Sequence, residues 1–248
     1  MSSSIRHILL LLAFAAAFAA GAQKTYVVAV GLDNYSDGQN SLSNPVADMK
    51  GVCKFFNNYN GGDVFLLANS NATRDHILRV ARKKFSLAGP ADEVIFAYSG
   101  HGFDGGLSTY DTSEYILVQE LLDILNASKA RRKIMFINSC HSGSFADAWV
   151  HNPRNKGYKG ASQSPVMLYV SSRSSESSWG SDGMKYSFFI DGLLRGLNGN
   201  ADKNGDRKIT ARELFNYVNQ ETIDISGGKQ HPQMYGKFPD DMVVVYTD

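Results

Sequence analysis

Cysteine is scarce: the 248 residues hold two, Cys53 and Cys140. An exported domain that relies on a disulfide framework needs more. A single Cys53–Cys140 bridge is the one pairing open to the chain. Cys53, however, shares an apolar helical stripe with Val46, Met49 and Phe56, which marks it as a small core residue. An excess of charge is lacking too. With Arg6 set aside, basic and acidic residues balance at 24 each, so no basic patch argues for nucleic acid or anionic lipid as a partner. There is no internal repeat, and after residue 22 no apolar run long enough to span a bilayer. The apolar run that is present comes first. Residues 1–22 carry Arg6 and His7, an apolar stretch from Ile8 to Ala20, and a small-residue site ending at Ala22. This predicts a cleavable signal peptide, export (secreted or periplasmic), no membrane attachment after cleavage, and one domain over 23–248.

Six nearly continuous apolar runs read as buried strands: TYVVAVG (25–31), DVFLLA (63–68), EVIFAYS (93–99), KIMFIN (133–138), VMLYVSS (166–172) and MVVVYT (242–247). Such runs favour strands covered on both faces, as in a parallel sheet. Helical patterns lie between most of them. PVADMKGVCKFFNNY has proline in its first turn, TRDHILRVARKKFS offers Thr73 as an N-cap, and VQELLDILNAS, KYSFFIDGLLRGL and TARELFNYVNQ follow. The expected fold class is α/β, a three-layer α/β/α sandwich around a mostly parallel six-stranded sheet. The polar stretch 151–165, with Arg154, Lys156 and Lys159, reads as an exposed loop and a candidate site of self-cleavage.

Two short turns carry the chemistry. YSGHG ends one strand and INSCHSG the next, placing His101 and Cys140 two residues beyond their strands. In a parallel sheet the carboxyl ends share one edge, so neighbouring strands bring imidazole and thiol together. A free thiol of pKa roughly 8.5 is mostly protonated at neutral pH; a nearby imidazole raises the reactive fraction. Gly102 lets its N–H approach a developing oxyanion closely, and the Cys140 N–H is a second donor. The alternatives are a turn histidine beside a core cysteine, and a zinc site from His101, Cys140 and His141, for which no further ligand shows the usual spacing.

YSGHG followed by CHSG resembles the caspase-like cysteine peptidases, in particular their metacaspase branch. VVAVGLDNYSDGQNSLSNPVADMKGVCKFF, YVSSRSSESSW, YSFFIDGLLRGL and QHPQMYG extend the resemblance over almost all of 23–248. It implies a caspase–hemoglobinase fold, a Cys140–His101 dyad, a thioacyl-enzyme, and endopeptidase action on a protein or peptide substrate. It also implies a pocket for the residue before the scissile bond, built from Asp48, Ser99 and Asn138 and favouring Arg or Lys. This chain departs from the family at Asn138, where an aspartate is usual. It departs again at Val118 and Gln119, where calcium-dependent members carry two aspartates, although Asp147 follows the cysteine loop. Arg173 in SSRSSES is a competing pocket residue that would favour acidic substrates. An inactive caspase-like binding module, or a thiol esterase or transpeptidase, stands beside the peptidase reading.

No cofactor is required by that chemistry. ADKNGDRKITARELF nevertheless places Asp202, Asn204, Asp206, Lys208 (by its carbonyl) and Glu213 at positions one, three, five, seven and twelve of an EF-hand loop. Position six is Arg207 instead of glycine, at a left-handed cost of about 1–2 kcal/mol. A structural Ca2+ at 202–213 and an Asx turn capping the next helix are the two readings.

Overall fold

The structure, a computed structural model, describes residues 23–38, 41–103, 105–140, 142–143, 165–178, 180 and 183–247. The leader, His141, Asp147 and the basic loop up to residue 164 lie outside the described residues. The order is β1 (Thr25–Gly31), α1 (Pro45–Asn60), β2 (Asp63–Ala68), α2 (Arg74–Phe85) and β3 (Glu93–Ser99), then the short strands β4 (Gly102–Phe103), β5 (Gly106–Ser108) and β6 (Tyr115–Leu117). There follow α3 (Val118–Ala127), β7 (Arg132–Asn138), β8 (Val166–Val170), α4 (Phe188–Arg195), β9 (Lys208–Thr210), α5 (Ala211–Ile225), β10 (Gln233–Tyr235) and β11 (Val243–Tyr246).

The central sheet has six strands in the order β10-β8-β7-β3-β1-β2, parallel except for β10. Alternation along each strand divides its side chains between two cores. On one face Tyr26, Val28, Val30, Phe96 and Tyr98 meet Ile77, Phe85, Leu121 and Leu125 of α2 and α3. On the other, Val27, Ala29, Ile95 and Phe136 meet Met49, Val52 and Phe56 of α1 and Leu193, Leu214 and Val218 of α4 and α5. Burial of each such side chain is worth roughly 1.5–3 kcal/mol, which is why continuous apolar runs sit at the sheet centre.

Two strand expectations change. MVVVYT does form β11, but β11 pairs antiparallel with β9 in a separate ribbon. The sixth strand of the main sheet is instead β10, from QHPQMYG, whose three residues are too few and too polar to stand out. DVFLLA is an edge strand with alternating exposed and partly covered residues, not a strand buried on both faces. Thr73 does precede α2, yet its side chain makes no capping bond. The Arg74 N–H donates to Asp111 Oδ1 at 3.0 Å, a tertiary cap.

The loop before α5 is closed by its own side chains. Asp202 accepts from the Gly205 and Arg207 N–H groups, Asn204 from Asp206 and Asp206 from Lys208, at 2.8–3.0 Å. Arg207 adopts φ 65°, the left-handed conformation that position six demands. Glu213 does not face the loop centre with both oxygens. Its Oε1 accepts from Asn204 Nδ2, and its Oε2 from the Thr210 N–H and hydroxyl, in a capping box on α5. Among the described residues no group of three or more His, Cys, Asp or Glu side chains is placed to hold a metal ion. Also among them, no helix is long and apolar enough to cross a membrane. With Glu213 engaged as a cap, Thr210→Ala should cost about 0.5–2 kcal/mol in denaturant unfolding. If the loop is only a cap, millimolar calcium leaves the wild-type melting temperature unchanged. A calcium-dependent rise that disappears in Asp202→Ala would place the ion in the loop instead.

Candidate active site

Strands β1, β3 and β7 run parallel with Gly31 opposite Ser99 and Ser99 opposite Asn138. Strand order reverses between β1 and β3, which opens a crevice at their carboxyl ends. The chain turns at this edge after β3 and after β7, so His101 and Cys140 both line one cleft of about 90 Å³, with Asp48, Ser99 and Asn138. All five sequence-derived positions therefore come together. Gly102 sits where the two turns touch. A Cβ there would lie 2.6 Å from Ser139 Oγ and 3.1 Å from the Cys140 carbonyl oxygen, so a side chain would force the turns apart. The Ser108 N–H donates to the His101 carbonyl, making that pair of the β4–β5 hairpin the hydrogen-bonded one. The next pair, Gly102 with Leu107, is then a non-hydrogen-bonded one, which leaves the Gly102 N–H outside the ladder.

At the floor of the cleft is Asp48, fully buried on the first turns of α1. Its Oδ1 accepts from the Ser187 N–H at 2.9 Å. Its Oδ2 accepts from Ser99 Oγ at 2.8 Å, Ser187 Oγ at 2.8 Å and Asn138 Nδ2 at 3.2 Å. Burial pushes the Asp48 carboxyl up to about 6, even though all four donors favour the charged form. The Asn138 amide nitrogen also reaches Ser99 Oγ and Ser187 Oγ, while Asn138 Oδ1 and Ser139 Oγ are buried without a hydrogen-bond partner among the described residues. Both residues line the cleft.

The cysteine turn is held by a group of serines that the sequence did not single out. Ser178 Oγ donates to the Ser139 carbonyl at 2.7 Å, the Ser139 N–H donates to Ser171 Oγ, and Ser142 Oγ contacts both Ser171 and Ser172. Ser187 was missed as well, although it lies inside a motif already set apart, YSFFIDGLLRGL. The pairing of a short polar residue before a helix with a buried acid is visible only in three dimensions. Tyr35 and Tyr98 are further misses, and both bear on His101. The His101 N–H donates to the Tyr35 hydroxyl at 2.7 Å, and the Tyr98 hydroxyl lies 2.7 Å from the His101 carbonyl oxygen as its donor.

The remaining expectations sort cleanly. Neither cysteine is in a disulfide; Cys53 is buried, and burial pushes its thiol up to about 11, whereas Cys140 is partly exposed at the cleft. Arg173 is half-exposed, pairs with Glu176 and is not among the described residues lining the cleft that holds Asp48 and Asn138. Gln119 donates to Asp123 one turn on, and the acid in the first turn of α3 is Glu120, which pairs with Arg74.

A family model described as caspase domain matches residues 24–243. Among solved structures, a Geobacter sulfurreducens protein, GSU0716, superposes with a TM-score of 0.65 at 18% identity, over 91% of this chain and 100% of that one. Caspase-1 from Spodoptera frugiperda superposes with a TM-score of 0.68 at 16% identity, over 91% and 90%. No curated protein matches. At such low identity these likenesses establish the fold, and the family match runs from β1 through the cleft and α5 to the first residue of β11. The chain belongs to the caspase-domain family, as a caspase-like cysteine peptidase in family and fold.

Proposed function

We propose that this protein is an exported cysteine endopeptidase that cleaves after arginine or lysine, with Cys140 as nucleophile and His101 as base. The observation that carries this reading is the shared cleft: imidazole, thiol and a buried carboxylate line one small cavity at the switch point of the sheet. His101 takes the Cys140 thiol proton as sulfur attacks the substrate carbonyl carbon. The oxyanion accepts from the N–H groups of Gly102 and Cys140. Collapse breaks the C–N bond, and the imidazolium returns its proton to the leaving amine. Water, deprotonated by His101, then hydrolyses the thioester and regenerates the thiol. The paired YSGHG and CHSG turns favour the metacaspase branch, and residues 1–22 support export.

For the substrate side chain, Asp48 supplies negative charge from behind Ser99, Ser187 and Asn138. Asn138 also lines this cleft, and its Oδ1 is buried without a hydrogen-bond partner among the described residues. A guanidinium can bridge such acceptors, whereas a lysine ammonium depends on point charge and gains less from one carboxylate.

An irreversible peptidyl electrophile should label Cys140 and leave Cys53 untouched. Cys140→Ala should abolish hydrolysis with the fold retained, and His101→Ala should lower kcat by about 10²–10⁴. Absence of labelling and hydrolysis in the reduced wild type would leave a binding module on a peptidase fold. Hydrolysis of thioesters but not peptides would favour the esterase alternative.

Matched fluorogenic peptides ending in Arg, Lys, Asp or Ala test the pocket. The order expected is Arg above Lys, with Asp poorest. Asp48 loses its charge as pH falls through about 6, so the ratio of kcat/KM for Arg over Ala should drop between pH 7 and pH 5. The ratio cancels titration of the dyad itself. A ratio flat across that interval, or a preference for Asp, would remove Asp48 from the pocket. Stability carries the opposite sign. A carboxyl whose folded pKa is raised stabilises fully below about 4 and loses that contribution as pH rises through about 6. Asp48→Asn should therefore flatten the melting temperature over pH 4–7.

A further inference from the structure

We infer that Tyr35 is a positioning residue for His101, holding the histidine turn by its backbone and its ring; this rests on the peptidase reading above. Tyr35 is 6% exposed and lies in the loop after β1. That loop is itself anchored. The Asp33 and Asn34 N–H groups donate to Asn69 Oδ1, Asp33 Oδ1 accepts from the Val46 N–H, and the Ser36 N–H donates to the Tyr110 carbonyl. From this base the Tyr35 hydroxyl accepts the His101 N–H at 2.7 Å, and its ring lies 5.1 Å from the imidazole, tilted by 31°.

A second tyrosine completes the grip. Tyr98 is fully buried at the end of β3, and its hydroxyl lies within reach of the His101 and Ser108 carbonyl oxygens, at 2.7 and 2.9 Å. The His101 backbone is thus held at its N–H by one tyrosine and at its carbonyl by the other. Gly100 makes this possible. A Cβ there would come within 2.6 Å of the Tyr98 hydroxyl and 3.0 Å of the Tyr35 hydroxyl. The glycine of YSGHG before the histidine is accordingly a requirement of the two hydroxyls, separate from the requirement at Gly102.

Two consequences follow for catalysis. The His101 N–H is taken by Tyr35, so within this turn the amide left to meet an oxyanion is that of Gly102. The tilted ring contact restricts rotation of the imidazole, so proton transfer from Cys140 starts from one orientation. Burial pushes the Tyr35 hydroxyl up to about 12, which keeps it neutral across the working pH range and gives it no acid–base part of its own.

The test is Tyr35→Phe in the mature chain, which keeps the ring and removes the hydroxyl. We expect kcat to fall about 10- to 100-fold with KM within twofold, together with a shifted acidic limb in the pH profile of kcat/KM. The imidazole resonance of His101, assigned with His101→Ala, should move in position and apparent pKa. Tyr98→Phe should give smaller changes of the same kind, and it carries the test if Tyr35→Phe is not recovered folded. The imidazole resonance reports on Tyr35 whether or not the protein hydrolyses peptides. A wild type without hydrolysis overturns the peptidase reading; an unmoved resonance overturns the role of Tyr35. Unchanged kcat, pH profile and resonance in a folded Tyr35→Phe protein would show that the tyrosine merely fills space.

Discussion

The in-register parallel pairing of β3 with β7 is the constraint on which the rest of this protein depends. Ser99 stands opposite Asn138, so the chain leaves the sheet at the same height on both strands. Two residues later one turn presents His101 and the other Cys140. A slip of one residue would displace the cysteine turn by roughly 3.3 Å along the strand and turn Asn138 to the other face. The slip is resisted by the two cores. Ile95 and Ala97 share one side with Ile134 and Phe136, while Phe96 and Tyr98 share the other with Met135 and Ile137. Exchanging faces would send each set into the packing of the opposite helices.

The second tie is polar. Asp48 brings α1, β3, β7 and the residue before α4 to a single carboxylate through Ser99, Asn138 and Ser187. An isolated carboxylate at that depth would be costly, and the four donors offset part of the desolvation. The same carboxylate is the one acid of the pocket proposed for an arginine or lysine side chain. The fold and the proposed specificity therefore draw on one group. The tyrosine pair plays the corresponding part for the histidine turn. Tyr35 comes from the loop after β1 and Tyr98 from the end of β3, and both converge on the backbone of His101.

Much of this was legible from the order of residues. Continuous runs of Val, Ile, Phe and Tyr located five of the six strands of the central sheet, because a strand covered on both faces must be apolar at every position. Even β2 was found, although its alternating exposure places it at the edge. The two glycine-flanked turns after adjacent runs were enough to place an imidazole and a thiol at one edge. Asp48, Ser99 and Asn138 were assembled through resemblance, and they do meet. What was not legible shares one physical cause, which is partnership across long stretches of chain. MVVVYT carries a strong strand signal, but which strand it joins depends on where α5 delivers it, and it joins β9. β10 has three residues and takes its place in the sheet from its neighbour β8. Asp111 caps α2 across 37 residues, a bond that no local pattern encodes.

Local chemistry, then, was determined by the sequence alone: apolar runs that must be buried, turns that must contain glycine, and a thiol and an imidazole each placed just beyond a strand. Tertiary structure alone decided which groups those side chains meet. Ser187 and Tyr35 are ordinary residues in sequence, and each acquires its place because the folded chain brings a buried carboxylate or a histidine amide to within hydrogen-bonding distance. The reason is the range of the forces. Burial and backbone conformation act residue by residue and leave a periodic trace in the chain, whereas a hydrogen bond acts only at contact, between groups that packing has first brought together.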